Sequence, residues 1–189
     1  MAEPMTLPEA LAGTPVLDAA GVRRTITRMA HEIAERNEGV SDVVLVGVQR
    51  RGVPLAQRLA DEIERFEQER PLLGSLDVTM HRDDFAARGL RSEPRESALP
   101  DTEGRIVVLV DDVLYTGRTV RAALDALADF GRPRAVRLAV LVDRGHRELP
   151  IRADVVGKNI PTATDDSVRV QLAEEDGRDA VLVLSGRSR

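Results

Sequence analysis

The chain has 189 residues, 42% hydrophobic and 31% charged, with a formal net charge of −5. That length suits one domain with a sizeable core, and the lack of cysteine excludes disulfides, thiolate metal sites and a cysteine nucleophile. No apolar run reaches the roughly 18 residues of a membrane span, and MAEPMTLPEALAG is not built like a signal peptide, so no membrane partner and a cytoplasmic location are expected.

Residues 1–17 contain three prolines and read as a loose arm ahead of a single domain over 18–184, with a tail at 185–189. Asp18 is placed to cap a helix that runs to Gly39, where Val22, Ile26, Met29 and Ile33 form one apolar stripe. Arg24, Thr27, Arg28, His31 and Glu35 fall on its opposite face. Val43–Gly47 reads as a buried strand, followed by a loop at Val48–Gly52 and a helix with Ala56, Leu59, Ile63 and Phe66 inward. A strand is expected at Leu76–Met80, then a long charged loop over 81–104 whose length points to function. Ile106–Val110 is the next strand, Thr119–Phe130 a helix ended by Gly131, and Val136–Val142 another strand. An irregular basic segment follows, with strands again at Val168–Leu172 and Val181–Leu184. Apolar strands alternating with helices define an α/β fold with a mostly parallel sheet covered on both faces.

Within this frame the stretch VVLVDDVLYTGRT, residues 107–119, raises a physical question: why do two adjacent acids end a buried run? Ligands of open α/β sheets bind at the carboxyl ends of the strands. The turn Tyr115-Thr116-Gly117-Arg118-Thr119 leads into a helix N-terminus, whose N–H groups and small hydroxyls make an anion cradle. Asp111 and Asp112 beside a phosphate make sense if they hold a sugar diol, or a magnesium ion near it, which suggests a ribose 5-phosphate. A P-loop is excluded, because Arg152 stands where GxxxxGK needs its first glycine ahead of Gly157-Lys158, and GxGxxG is absent. A helix cap would explain one acid but not the pair and its turn.

The same stretch resembles the PRPP (phosphoribosyl-pyrophosphate) motif of type I phosphoribosyltransferases. RRTITRMAHEIAER, LDVTMHRDD, LVDRGHRELPIRAD and VGKNIPT extend the resemblance to the PyrR family of pyrimidine operon regulators, over residues 16 to 175. It implies a type I phosphoribosyltransferase fold with a hood at 143–168 over the strand ends. It also implies transfer of ribose 5-phosphate from PRPP to uracil, giving UMP, with Mg2+ held indirectly at Asp111 and Asp112 through PRPP and water. In that reading Asp111, Asp112 and Arg82 are catalytic, with Arg82 closing over the site. Arg50, Arg51, Gly52, Val113, Leu114, Tyr115, Thr116, Gly117, Arg118 and Thr119 bind PRPP or UMP, and Asp143, Arg144, Val155, Val156 and Val168 form the uracil hood. His81 stands where relatives often have tyrosine, and Gln49-Arg50 where a Lys-Thr pair is common.

The resemblance further implies UMP-dependent binding to an mRNA leader stem-loop through Thr27, Arg28, His31, Arg36, Arg147, Arg152 and Lys158, in a homodimer or higher oligomer. Lys158 is the only lysine beside 26 arginines. Two alternatives stay open at this point: a phosphoribosyltransferase without an RNA role, for uracil or another base, and a regulator with vestigial catalysis.

Overall fold

Two kinds of hydrophobic pattern build the molecule: short continuous runs that must be covered on both faces, and helices with a single apolar stripe that cover them. The computed structural model describes residues 13–81 and 95–186. Along it run β1 (Thr14–Leu17), α1 (Ala19–Arg36), β2 (Val43–Val48), α2 (Gly52–Glu67) and β3 (Leu72–Leu76). A 3-10 turn at Thr79–His81 follows, then β4 (Ile106–Leu114), α3 (Arg118–Leu127), β5 (Ala135–Asp143) and β6 (Val155–Asn159). The chain closes with β7 (Ser167–Gln171), α4 (Ala173–Asp176) and β8 (Ala180–Leu184).

Five strands form a parallel sheet in the order β3-β2-β4-β5-β6, and three form a small antiparallel sheet in the order β1-β8-β7. The parallel sheet has a core on each face, as the pleat demands. Val43 and Leu45 pack with the α1 and α2 stripes, while Val44 and Val46 pack with Val120, Ala123 and Leu127 of α3. Asp18 caps α1, its Oδ1 accepting the Gly21 N–H at 2.6 Å.

Several expectations need correction. Residues 14–17 are not part of a loose arm: Thr14 pairs with Val183 and Pro15 with Leu182 on an edge strand, where a proline costs no ladder bond on its open side. Residues 1–12 lie outside the described residues. The third strand ends at Leu76 instead of beginning there, because Asp77 Oδ1 accepts the Thr79 N–H at 2.7 Å and turns the chain. Residues 143–168 are not one hood. Val155–Asn159 is the fifth strand of the parallel sheet, and it is β7, with Asp176 of α4, that lines the cavity beside Asp112. The first helix ends at Arg36, short of Gly39.

Candidate active site

The strand β4 does not stop at its apolar run. It pairs with β2 only as far as Gly47↔Val110, but with β5 as far as Leu114↔Asp143. Beyond Val110 one side of β4 is therefore open, and the acid pair stands at that opening. The connection Gln49–Gly52 crosses there at very close range. A Cβ on Gly52 would lie 2.3 Å from the Val110 carbonyl oxygen, and one on Gly47 2.5 Å from the carbonyl oxygen of Gly52. Only glycine fits at both points. The approach brings Arg51 to the rim beside Asp112 and leaves Arg50 exposed.

The two acids are oriented by their own backbone. Asp111 Oδ1 accepts the Asp112 N–H at 2.9 Å, and Asp112 Oδ1 accepts the Val113 N–H at 2.8 Å. Asp111 is buried. Burial pushes the Asp112 carboxyl above its ordinary range, against the opposing pull of a hydrogen bond with Asp111 and the Arg51 charge.

The turn after β4 ends in Gly117, whose φ of 94° caps α3 in the left-handed region. The first turn of α3 then presents N–H groups that no upstream carbonyl of the helix can take. Segment 143–151 fixes this turn from outside. The Glu148 and Leu149 N–H groups both donate to the Thr116 carbonyl, at 3.0 and 3.1 Å, and Arg118 Nε donates to Glu148 Oε2 at 2.7 Å. Arg147 donates to the carbonyls of Tyr115 at 2.8 Å and Ile151 at 3.0 Å, and to Asp143 Oδ2. Arg144 is buried, lies 4.0 Å over the Tyr115 ring and donates to Thr162 Oγ1 at 3.2 Å.

The expected site residues thus separate into groups. Arg51, Asp112 and Val168 line one cavity of about 490 Å3 together with Arg169 and Asp176, and the Leu114–Thr119 turn follows directly from its acid wall. Asp143 and Arg144 brace the turn after β4 rather than roofing that cavity; they line a second one, of about 390 Å3, with Arg147 and Arg152. Val155 is a core residue under α1, and Val156 packs on the opposite face with Ile151 and Ala153. Arg82 lies outside the described residues, as does most of the loop expected at 81–104. Asp176 went unnoticed in the sequence, although the run Glu174-Glu175-Asp176 before Gly177 marks it as acidic.

On α1 the expected RNA contacts Arg28, His31 and Arg36 are exposed and Thr27 is half-buried, but each is occupied. Arg28 donates to the carbonyls of Val156, at 3.0 Å, and Gly157, so α1 borders the edge strand β6, on which Lys158 is exposed. Glu32 lies between Arg28 and Arg36, at 3.4 and 2.9 Å. Thr27 Oγ1 donates to Glu62 at 2.9 Å, and the His31 ring stacks on Phe66 at 3.9 Å. Arg147 is turned away, into the turn after β4.

Among the described residues no group of three His, Asp or Glu side chains could cage a metal. The Asp111–Asp112 pair still fits magnesium, which keeps several waters and takes one or two carboxylates plus substrate phosphates.

Taken together, the parallel sheet, the paired acids on a strand end and the helix-capped turn define a phosphoribosyltransferase, and the Phosphoribosyl transferase domain family matches residues 14–176. A hypoxanthine phosphoribosyltransferase of Trypanosoma cruzi in complex with IMP shares the fold, at a TM-score of 0.71 and 20% identity over 95% of this chain and 97% of that one. The chain is 61% identical to the bifunctional protein PyrR of Streptomyces coelicolor over 170 residues, covering 89% of this chain and 88% of that protein. It is also 61% identical to that of Roseiflexus sp. over 163 residues, covering 86% and 89%. The chain belongs to the PyrR family.

Proposed function

We propose that this chain transfers ribose 5-phosphate from PRPP to uracil, giving UMP and diphosphate, and that its UMP-bound form binds a stem-loop in the leader of pyrimidine-gene messages. The observation that carries the transferase reading is the Asp111–Asp112 pair running directly into the Gly117-capped turn of α3, with Arg51 on the facing rim.

During transfer the bond from ribose C1 to the diphosphate oxygen breaks, and its electron pair leaves with diphosphate. The bond from C1 to uracil N1 forms, and the N1 proton passes to solvent. Asp111 and Asp112 hold the 2- and 3-hydroxyls and favour the cationic sugar of the transition state. Burial disfavours the bare anion of Asp112, so a cationic sugar beside it is more strongly favoured than beside a solvated carboxylate. N–H groups at the start of α3, with the hydroxyls of Thr116 and Thr119, take the 5-phosphate. Arg50 and Arg51 face the diphosphate. Asp111 and Asp112 would hold magnesium indirectly, through PRPP and water, and the ion would supply charge neutralisation for the leaving diphosphate. The base lies against β7, where Val168 offers an apolar face and, among the described residues, no aromatic ring lines the cavity, which suits a pyrimidine.

Thr27, Arg28, His31, Arg36, Arg152 and Lys158 supply the RNA face around α1 and the β6 edge, doubled in a homodimer or higher oligomer. The competing reading, a transferase alone, draws on the contacts that Glu32 and Glu62 already make with this face. Initial rates with uracil, hypoxanthine, guanine and orotate test the first half. UMP synthesis should be fastest, and a higher rate with another base would remove the pyrimidine assignment.

A further inference from the structure

We propose that Asp176 is a positioning residue for the diphosphate of PRPP: it grips the Nε–Nη2 edge of Arg51 and leaves Nη1 to the substrate. The proposal rests on the transferase reading above.

Arg51 arrives on the β2–α2 connection and Asp176 on α4, between the strands of the small sheet. Arg51 Nε lies 3.0 Å from Asp176 Oδ2 and Nη2 lies 2.7 Å from Oδ1, a bidentate pair on the side edge of the guanidinium. Nη1 has no hydrogen-bond partner among the described residues, and Arg51 lines the same cavity as Asp112. The planar fork therefore has one edge fixed by protein and donors left over for an anion in the cavity.

Asp176 is itself held. Its Oδ2 accepts the Leu172 N–H at 2.9 Å, and its side chain is 17% exposed. Hydrogen bonds from Arg51 hold its carboxyl below the ordinary range against desolvation, helped by Leu172 and the charges of Arg51 and Arg169. The short helix carrying it is pinned on either side. Glu174 and Asp179 grip Arg58 of α2 at 2.6 and 2.8 Å, and Glu175 lies 3.8 Å from Arg95. Four acids thus hold three arginines, Arg51 and Arg58 at and within α2 and Arg95 far from them in sequence, and α4 cannot turn without breaking those pairs.

A free arginine at this rim would have two costs. It would have to be ordered when diphosphate binds, which lowers affinity. It also feels the charge of Asp112 and would swing toward the carboxylate needed for the ribose hydroxyls. Asp176 prevents both, at the expense of neutralising the Arg51 charge, so Arg51 acts by oriented hydrogen bonds.

The test is Asp176→Asn, measured by steady-state kinetics and by titration with inorganic diphosphate. The KM for PRPP and the Kd for diphosphate should each rise about tenfold, with kcat and the KM for uracil changed less than about threefold. In an Arg51→Ala background, Asp176→Asn should add nothing further to the KM for PRPP. An unchanged or lower KM for PRPP, a proportional loss in every constant, or additive effects in the double variant would overturn the proposal. If Asp176→Asn does not fold, Asp176→Glu keeps the charge and displaces it by one methylene. It should show an intermediate KM, and an unchanged value counts against the proposal. Wild-type protein that binds neither PRPP nor diphosphate would overturn the transferase reading and this proposal together; normal wild-type binding with an insensitive Asp176→Asn overturns the proposal alone.

Discussion

At the end of β4 the candidate functional groups are fixed by backbone: each acid accepts an N–H one residue on, and Gly117 sets the start of α3. On the outer face of α1 they are long side chains, held by Glu32, by Glu62 and by the carbonyls of β6. The first region is organised before any ligand arrives. In the second, Arg28 and Arg36 would each have to exchange an internal partner for a phosphate, so single contacts there should contribute less. A site built from backbone should fail steeply when one atom is changed, and a face built from exchangeable side chains should weaken by degrees.

Asp112→Asn tests the steep side. It is nearly isosteric and should leave the circular dichroism spectrum unchanged while lowering the rate of transfer about 10- to 1000-fold, the loss expected for one electrostatic contact in the transition state. Unchanged activity would make the acid pair a helix cap and dissolve the contrast. Gly52→Ala changes no functional group, yet its Cβ would meet the Val110 carbonyl oxygen at 2.3 Å, so the Arg51 connection must shift. Displacement of that order should cost about 100-fold in kcat/KM for PRPP, with RNA binding retained. An active Gly52→Ala enzyme would show that the connection is not held in register.

Lys158→Gln probes the gradual side. Its affinity for the stem-loop should fall by about 1–2 kcal/mol and the salt dependence should become shallower by about one ion, with UMP synthesis little changed. Loss of synthesis with normal RNA binding would move Lys158 into the active site.

The smallest effect is on stability. Since burial holds the Asp112 carboxyl above its ordinary range, ionising it works against the fold. That cost is absent below the ordinary carboxylate range, where the group is protonated folded or unfolded. It is present in full once pH has risen through the elevated folded value. Asp112→Asn should therefore melt a few degrees higher than wild type at neutral pH, about 2–4 °C for each kcal/mol released, and the gain should shrink on acidification. A variant that melts lower at neutral pH would show that the carboxylate is stabilising where it stands.

These regions also differ in how much of them the sequence reveals. VVLVDDVLYTGRT is legible because strand, acids, turn and helix start follow one another within 13 residues, each with a local signal. The parallel sheet was legible for the same reason, through its apolar runs and helical stripes. What could not be read depends on partners distant in the chain. Thr14–Leu17 is a strand only because β8 lies beside it, and Val155–Asn159, interrupted by Gly157 and Lys158, is one only because β5 does. Arg147 reads as an exposed cation until Leu114, Tyr115 and Ile151 are seen around it. Asp176 becomes meaningful only across 125 residues, at Arg51.

The claim that joins the two regions is that one chain carries a nucleotide site and a separate RNA face coupled through UMP. Titration of the wild-type protein with a pyrimidine-leader stem-loop, with and without saturating UMP, tests it most directly. The account predicts tighter binding with UMP, by at least about fivefold, the low end of typical coupling between sites. Equal affinity in both conditions, or no binding at physiological salt, would contradict it.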